Sequence, residues 1–136
     1  MAGHNPRTVD EARAFVAHVE SLFMPWNLNA LLAGFTEDCI VRFGDLPELR
    51  GKPALEDLFQ SRMGRQKDYR LKKEFRALMG DTIANYWEGW WEDRVTGKKM
   101  LGRGVEVWTM RDGQIAVWEA AFNANEAGKL SAMGVL

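Results

Sequence analysis

The sequence has a single cysteine, Cys39, so no intrachain disulfide can form and the fold must hold by packing alone. Cys39 lies in the apolar run Cys39-Ile40-Val41 and reads as a buried, inert thiol rather than a nucleophile. Apolar runs are short: none approaches the ~18 residues of a membrane span. The first residues, MAGHNPRT, lack the apolar segment of a secretory signal, so a cytoplasmic protein is expected. Histidine is scarce. His4 falls in the N-terminal tail and His18 at the edge of a helical stripe, which is too little for a histidine metal site; both read as solvated or structural. Phosphate loop, dinucleotide fingerprint and serine-hydrolase elbow are all missing, and neither metal nor cofactor is expected. Net charge is also small, −1 with a pI near 6.1, which gives no footing for nucleic acid or an acidic membrane. The basic residues from Arg62 to Arg76 are diluted by Asp68 and Glu74 and read as a solvated strand face. With 136 residues and no repeat or linker, one domain over 1–136 is expected, with 1–7 and 126–136 as loose tails.

Tryptophan is what the chain has in excess. Five of its six tryptophans, Trp87, Trp90, Trp91, Trp108 and Trp118, lie between Asp81 and Asn123. Turn signals at Thr96-Gly97 and Asp112-Gly113 cut this stretch into three segments, the pattern of an antiparallel meander. Clustered rigid rings need a cover of helices, a second subunit or a ligand.

The first half reads as helical. Thr8-Val9-Asp10-Glu11 fits a capping box, and Ala12, Phe15, Val16, Val19, Leu22 and Phe23 recur at helical spacing up to about Met24, before Pro25. A short helix from about Leu28 to Phe35 carries Leu28, Leu31, Leu32 and Phe35 on one side, with Asn27 or Asn29 as its cap. Thr36-Glu37-Asp38 reads as a turn and Cys39 to Phe43 as a short strand. A third helix starts near Pro53, with Leu55, Leu58, Phe59 and Met63 as its stripe and Gly64 as its stop. From Tyr69 to Leu78, Tyr69, Leu71, Phe75 and Ala77 alternate with charged residues, as on a half-buried strand. Three helices followed by long antiparallel strands make an α+β fold: a strongly curved, mostly antiparallel sheet packed on three N-terminal helices, leaving a cone with an open mouth.

This order, from about Thr8 to Asn125, resembles the nuclear transport factor 2-like superfamily, which includes ketosteroid isomerases, SnoaL-like polyketide cyclases and limonene epoxide hydrolases. The run from Leu31 to Val41 is similar to the superfamily's helix-to-strand passage, and Asp112-Gly113-Gln114-Ile115 to its final hairpin. The likeness is strongest to a bacterial subfamily without an established activity. It rests on Asp68-Tyr69-Arg70-Leu71, Lys73-Glu74, Gly104, Glu106, Trp108, Glu119-Ala120 and Asn123. Where that subfamily has Trp-Arg-Asn-Arg, this chain has Val41-Arg42-Phe43-Gly44. The resemblance to ketosteroid isomerases implies an acid at Glu106, but the base position falls near Phe43 and the tyrosine near Val19 or His18. For limonene-type hydrolases the Arg-x-Asp pair falls near Gly104-Val105-Glu106 and the last-strand aspartate at Ala120, so that constellation is absent. SnoaL-like cyclases, which need only a cavity acid or base, remain. A superfold hosts many chemistries, so the site has to be argued from its residues.

Alternation assigns the cavity. Ile83, Asn85, Trp87, Gly89 and Trp91 share the face taken as inner, as do Gly104, Glu106, Trp108 and Met110 on the next strand, and Trp118, Ala120 and Phe122 on the last. The expected ligand pocket is walled by Trp87, Trp91, Trp108, Trp118 and Phe122, with Phe43, Phe15 and Val19 contributing from the first half. Its polar residues are Glu106, Asn85 and Lys73. Among aromatic rings, burial penalises a carboxylate's charged form, which is how a general acid or base near neutral pH arises. Glu106 is thus the candidate acid or base for a small apolar ligand, with Asn85 and Lys73 orienting it. Two other readings stand beside this one. Glu106 could be a structural salt bridge to Lys73 or Arg103, and the tryptophans could simply fill the cone, leaving a non-catalytic binding or interaction module. Tyr86, Glu88 and Trp90, on the opposite face, suit a homodimer contact.

Overall fold

The computed structural model describes residues 3–130; the rest of the expected C-terminal tail, 131–136, lies outside them. Three helices, α1 (Val9–Ser21), α2 (Leu28–Ala33) and α3 (Lys52–Arg65), accompany six strands. The strands are β1 (Phe35–Phe43), β2 (Leu49–Arg50), β3 (Gln66–Met79), β4 (Thr82–Asp93), β5 (Lys99–Arg111) and β6 (Gln114–Glu126). They form one curved, open sheet in the order β2-β1-β6-β5-β4-β3. Every pairing is antiparallel except β1 with β6, which is parallel. The α+β cone expected from the element order is what the chain adopts.

Local chemistry accounts for most boundaries. Thr8 caps α1, its Oγ1 accepting from the Glu11 amide at 3.1 Å. Glu11 reaches back one residue further than a standard capping box, accepting from the Arg7 amide at 3.4 Å. Ala12, Val16 and Val19, spaced by four and three residues, form the buried stripe of α1. The helix ends at Ser21 rather than Met24, because Phe23 and Trp26 pair as an isolated bridge and draw the chain into a turn. Asn27 caps α2 with its Oδ1 on the Ala30 amide at 3.1 Å. The strand β1 begins at Phe35, through the stretch expected as a turn, because an irregularity between Phe35 and Ile40 lets both ends pair with β6. Residues 3–7 have no regular structure, yet Asn5 holds them down: its Nδ2 donates to Asp81 and its Oδ1 accepts from the Gly113 amide.

The face choice on the long strands is settled by burial. In β4, Ile83, Asn85, Trp87 and Gly89 are buried, while Tyr86, Glu88 and Trp90 are only partly covered. In β3 the alternation holds from Tyr69 to Lys73. A register shift between Phe75 and Ala77 then turns Ala77 outward and Leu78 onto the core, the reverse of simple alternation. The aromatic face is covered by the chain's own helices: Val16, Val19 and Phe23 from α1 and its C-terminal turn, Leu55 and Phe59 from α3. Close strand approach also matters. A Cβ at Gly104 would lie 2.2 Å from the Ala121 carbonyl oxygen, and one at Gly89 would lie 2.8 Å from the Tyr69 hydroxyl. Cys39 is fully buried, and burial pushes its thiol up, as suits an inert packing residue.

Candidate active site

Glu106 sits in the middle of β5, opposite Asn85 on β4 and Ala120 on β6, with 2 % of its surface exposed. Three side chains donate to its carboxylate. Lys73 Nζ reaches Oε2 at 2.6 Å, Asn85 Nδ2 reaches the same oxygen at 3.2 Å, and Trp118 Nε1 reaches Oε1 at 3.1 Å. A buried carboxylate needs such partners, since desolvation alone would cost several kcal/mol, on the order of the idealised penalty reduced by relaxation. Lys73 comes from β3, where its side chain is 5 % exposed. Its ammonium lies over the rings of Phe23, Trp87 and Trp108 at 5.8, 5.9 and 5.5 Å. Burial lowers the Lys73 pKa from its ordinary value, and the Glu106 charge offsets part of that. Its backbone amide donates to Glu20 Oε1 at 2.5 Å, so α1 fixes the strand that presents it. Among the alternatives for Glu106, the ion-pair partner is Lys73; Arg103 is exposed.

The expected residues converge unequally. Glu106, Asn85, Lys73 and Trp118 form one bonded cluster, and Val19 and Trp108 line the residual cavity beside it. Phe15 stands edge-on to Trp108 at 5.6 Å. Phe43 contacts Trp118 at 5.0 Å and Phe122 at 4.6 Å, and Phe122 in turn meets Trp87 at 5.4 Å. Trp91 stands further out, against Tyr69 at 6.0 Å and on the wall of an outer groove. The cavity beside Glu106 holds only about 10 Å³, room for about one water. A groove of about 720 Å³ opens at the mouth, walled by Trp26, Tyr69, Trp90, Trp91 and Met100, and sharing Phe23 with the inner cavity.

Two site residues escaped the sequence reading. Arg62, placed there among solvated charges, lies on α3 with its guanidinium over Phe23, Trp26, Phe43 and Tyr69, at 5.7, 5.1, 5.2 and 5.1 Å. A signal existed: Arg62 follows Leu55 by seven residues and Phe59 by three, both on the buried face. Trp26 was missed because it stands in a turn, outside the aromatic meander. Tyr69, buried beneath it, has its phenol pKa raised by desolvation, with the Arg62 charge opposing. Among the described residues no cluster of three metal-ligating side chains occurs, and no helix is long and apolar enough to cross a membrane.

The SnoaL-like domain family matches residues 12–118, which includes Lys73, Asn85 and Glu106. The chain belongs to this family, within the nuclear transport factor 2-like superfamily. Solved structures agree on the fold. SalBIII, an epoxide hydrolase/cyclase-like enzyme of pyran ring formation in the polyether salinomycin, superposes with a TM-score of 0.76 at 14% identity, covering 86% of this chain and 96% of that one. A candidate polyketide cyclase from Xanthomonas campestris pv. campestris gives 0.72 at 20% identity, covering 82% and 90%. Another, from Pseudomonas putida KT2440, gives 0.68 at 17%, covering 82% and 91%. No curated protein matches the sequence significantly. The family match and these superpositions together support a small-molecule isomerase/cyclase-type fold.

Proposed function

We propose that this chain is a small-molecule pocket protein that performs acid/base chemistry, as an isomerase, cyclase or hydrolase, on a small apolar ligand. Glu106 is its acid or base, and Lys73 and Asn85 hold and orient it. The observation that carries the reading is the cluster itself: a carboxylate and an ammonium, both almost fully buried, joined at 2.6 Å within a wall of aromatic rings. A lysine whose hold on its proton is weakened by burial, paired with a carboxylate, can pass a proton at a ligand atom brought within hydrogen-bond reach. Asn85 also keeps an unpartnered Oδ1 among the described residues, an acceptor available to a ligand hydroxyl or a water. The neighbouring fold of SalBIII, an enzyme of ring formation, adds support at the level of architecture. Glu106→Gln keeps the shape and one acceptor oxygen. With a ligand in hand, it should bind within about threefold of the parent and lose turnover by about 10²–10⁴-fold, the usual contribution of a general acid or base. Unchanged turnover in a folded variant would remove Glu106 from the chemistry.

The small inner cavity favours a second reading, a filled cone acting as a non-catalytic binding or interaction module. A cytoplasmic homodimer formed through the outer sheet face belongs to either reading. It is supported by Val105, 53 % exposed and paired in register with Tyr86, with Trp90 on the same β4 face. Sedimentation of Val105→Lys tests it: the parent should run as a dimer and the variant as a monomer, whereas a monomeric parent ends this part of the reading.

A further inference from the structure

We propose that the mouth of the cone recognises an anion, so that the ligand is a flat apolar acid whose carboxylate is held by Arg62. This deepens the pocket reading and rests on it. Two independent observations carry it.

The first is charge. Inside the cone Glu106 is matched by Lys73. Arg62 has no such counter-charge: among the described residues it forms no ion pair, and its partners are neutral, the Gln66 amide oxygen, which accepts from Nε at 2.9 Å, and the Tyr69 hydroxyl. A guanidinium presents a planar fork of donors that fits a carboxylate with two parallel bonds, and such charge-assisted bonds are about twice as strong as neutral ones. A carboxylate is therefore a better partner than the amide Arg62 now has.

The second is a set of orphaned donors. Trp26 Nε1 and Trp87 Nε1 are both buried without a hydrogen-bond partner. Trp26 belongs to the cage around Arg62 and also walls the outer groove. Trp87 joins the same collar through Phe122 and Phe43, with ring separations of 5.4 and 4.6 Å. Buried donors without acceptors are rare, and a ligand oxygen entering from the groove would satisfy that of Trp26. The groove wall carries Arg70, Arg94 and Lys99 against Asp68 and Glu92, and Glu92 is already paired with Lys67 at 3.3 Å. The rings of Trp26, Tyr69 and Trp91 offer flat apolar faces for the rest of such a ligand.

The test is calorimetric titration of the full chain with 2-naphthoate and, separately, with the uncharged isostere 2-naphthamide. The parent should bind the acid at least tenfold more tightly than the amide. Arg62→Met, which keeps the length of the side chain, should abolish that preference while leaving amide affinity within about threefold. Trp26→Phe, which keeps a ring and loses the N–H, should reduce it several-fold. Equal affinities in the parent, or a preference that survives Arg62→Met, would overturn the anion assignment and leave the apolar pocket standing. Binding of neither compound would overturn both. If Arg62→Met fails to fold, Arg62→Lys decides in its place: it keeps the charge without the fork and should lower the preference without erasing it, and an undiminished preference counts against the assignment.

Discussion

At the scale of the residue, Lys73 and Glu106 are each buried and each the other's counter-charge. Removing one member of a buried pair leaves the other uncompensated. Lys73→Met should therefore cost about 3–5 kcal/mol of stability. Glu106→Gln should cost less, about 1–3 kcal/mol, because its amide oxygen still accepts a bond. The double variant should be more stable than the sum of the singles implies, since no buried charge then lacks a partner. Chemical denaturation of the four proteins checks this, and strict additivity would contradict the geometry of the pair. Glu106, Asn85 and Lys73 were legible because each sits in a stretch of strand where period two holds, so a polar residue on an apolar face stands out. Arg62 was not, since charge on a helix is read as solvated by default and the four rings beneath it come from three separate places in the chain.

At the scale of the element, two features fix how the strands meet. Gly104 lets β5 approach β6 where no Cβ fits against the Ala121 carbonyl. Gly104→Ala should destabilise by about 1–3 kcal/mol through overpacking, read from the urea midpoint. Asp93, at the end of β4, ties α3 to the β4–β5 hairpin. Arg65 donates to it at 2.7 and 3.1 Å, and Thr96 at 2.8 Å, which holds its carboxyl well below the usual carboxylate range. A carboxyl whose folded pKa lies below its unfolded one stabilises fully above the unfolded value, near 4. That contribution drains away as pH falls toward the folded value. Asp93→Asn should thus be less stable at neutral pH, and its stability should fall less steeply than the parent's from pH 4 to 2. A parallel pair of pH curves would contradict the tie. The meander and three helices could be read from period and turn residues. The register shifts in β1 and β3 could not, because a bulge is decided by pairing with a distant strand rather than by local sequence.

At the scale of the whole molecule, the sequence pattern reached the cone but not its interior. That the tryptophan face turns inward follows from alternation. How nearly the rings fill the space depends on their rotamers and on Phe23 and Phe59, contributed by the helical side, and no periodicity encodes that. The result is a cone closed at Glu106 and open at the Trp26–Trp91 groove. If the chain is a pocket protein, this open end admits a small molecule. A titration of tryptophan fluorescence against a panel of small apolar ligands, acids and neutral compounds alike, tests it most directly, since Trp26 and Trp91 wall the groove. Saturable quenching with a shift of the emission maximum is the predicted result. A flat response across the whole panel would contradict it and give the cone over to the filled, non-catalytic module.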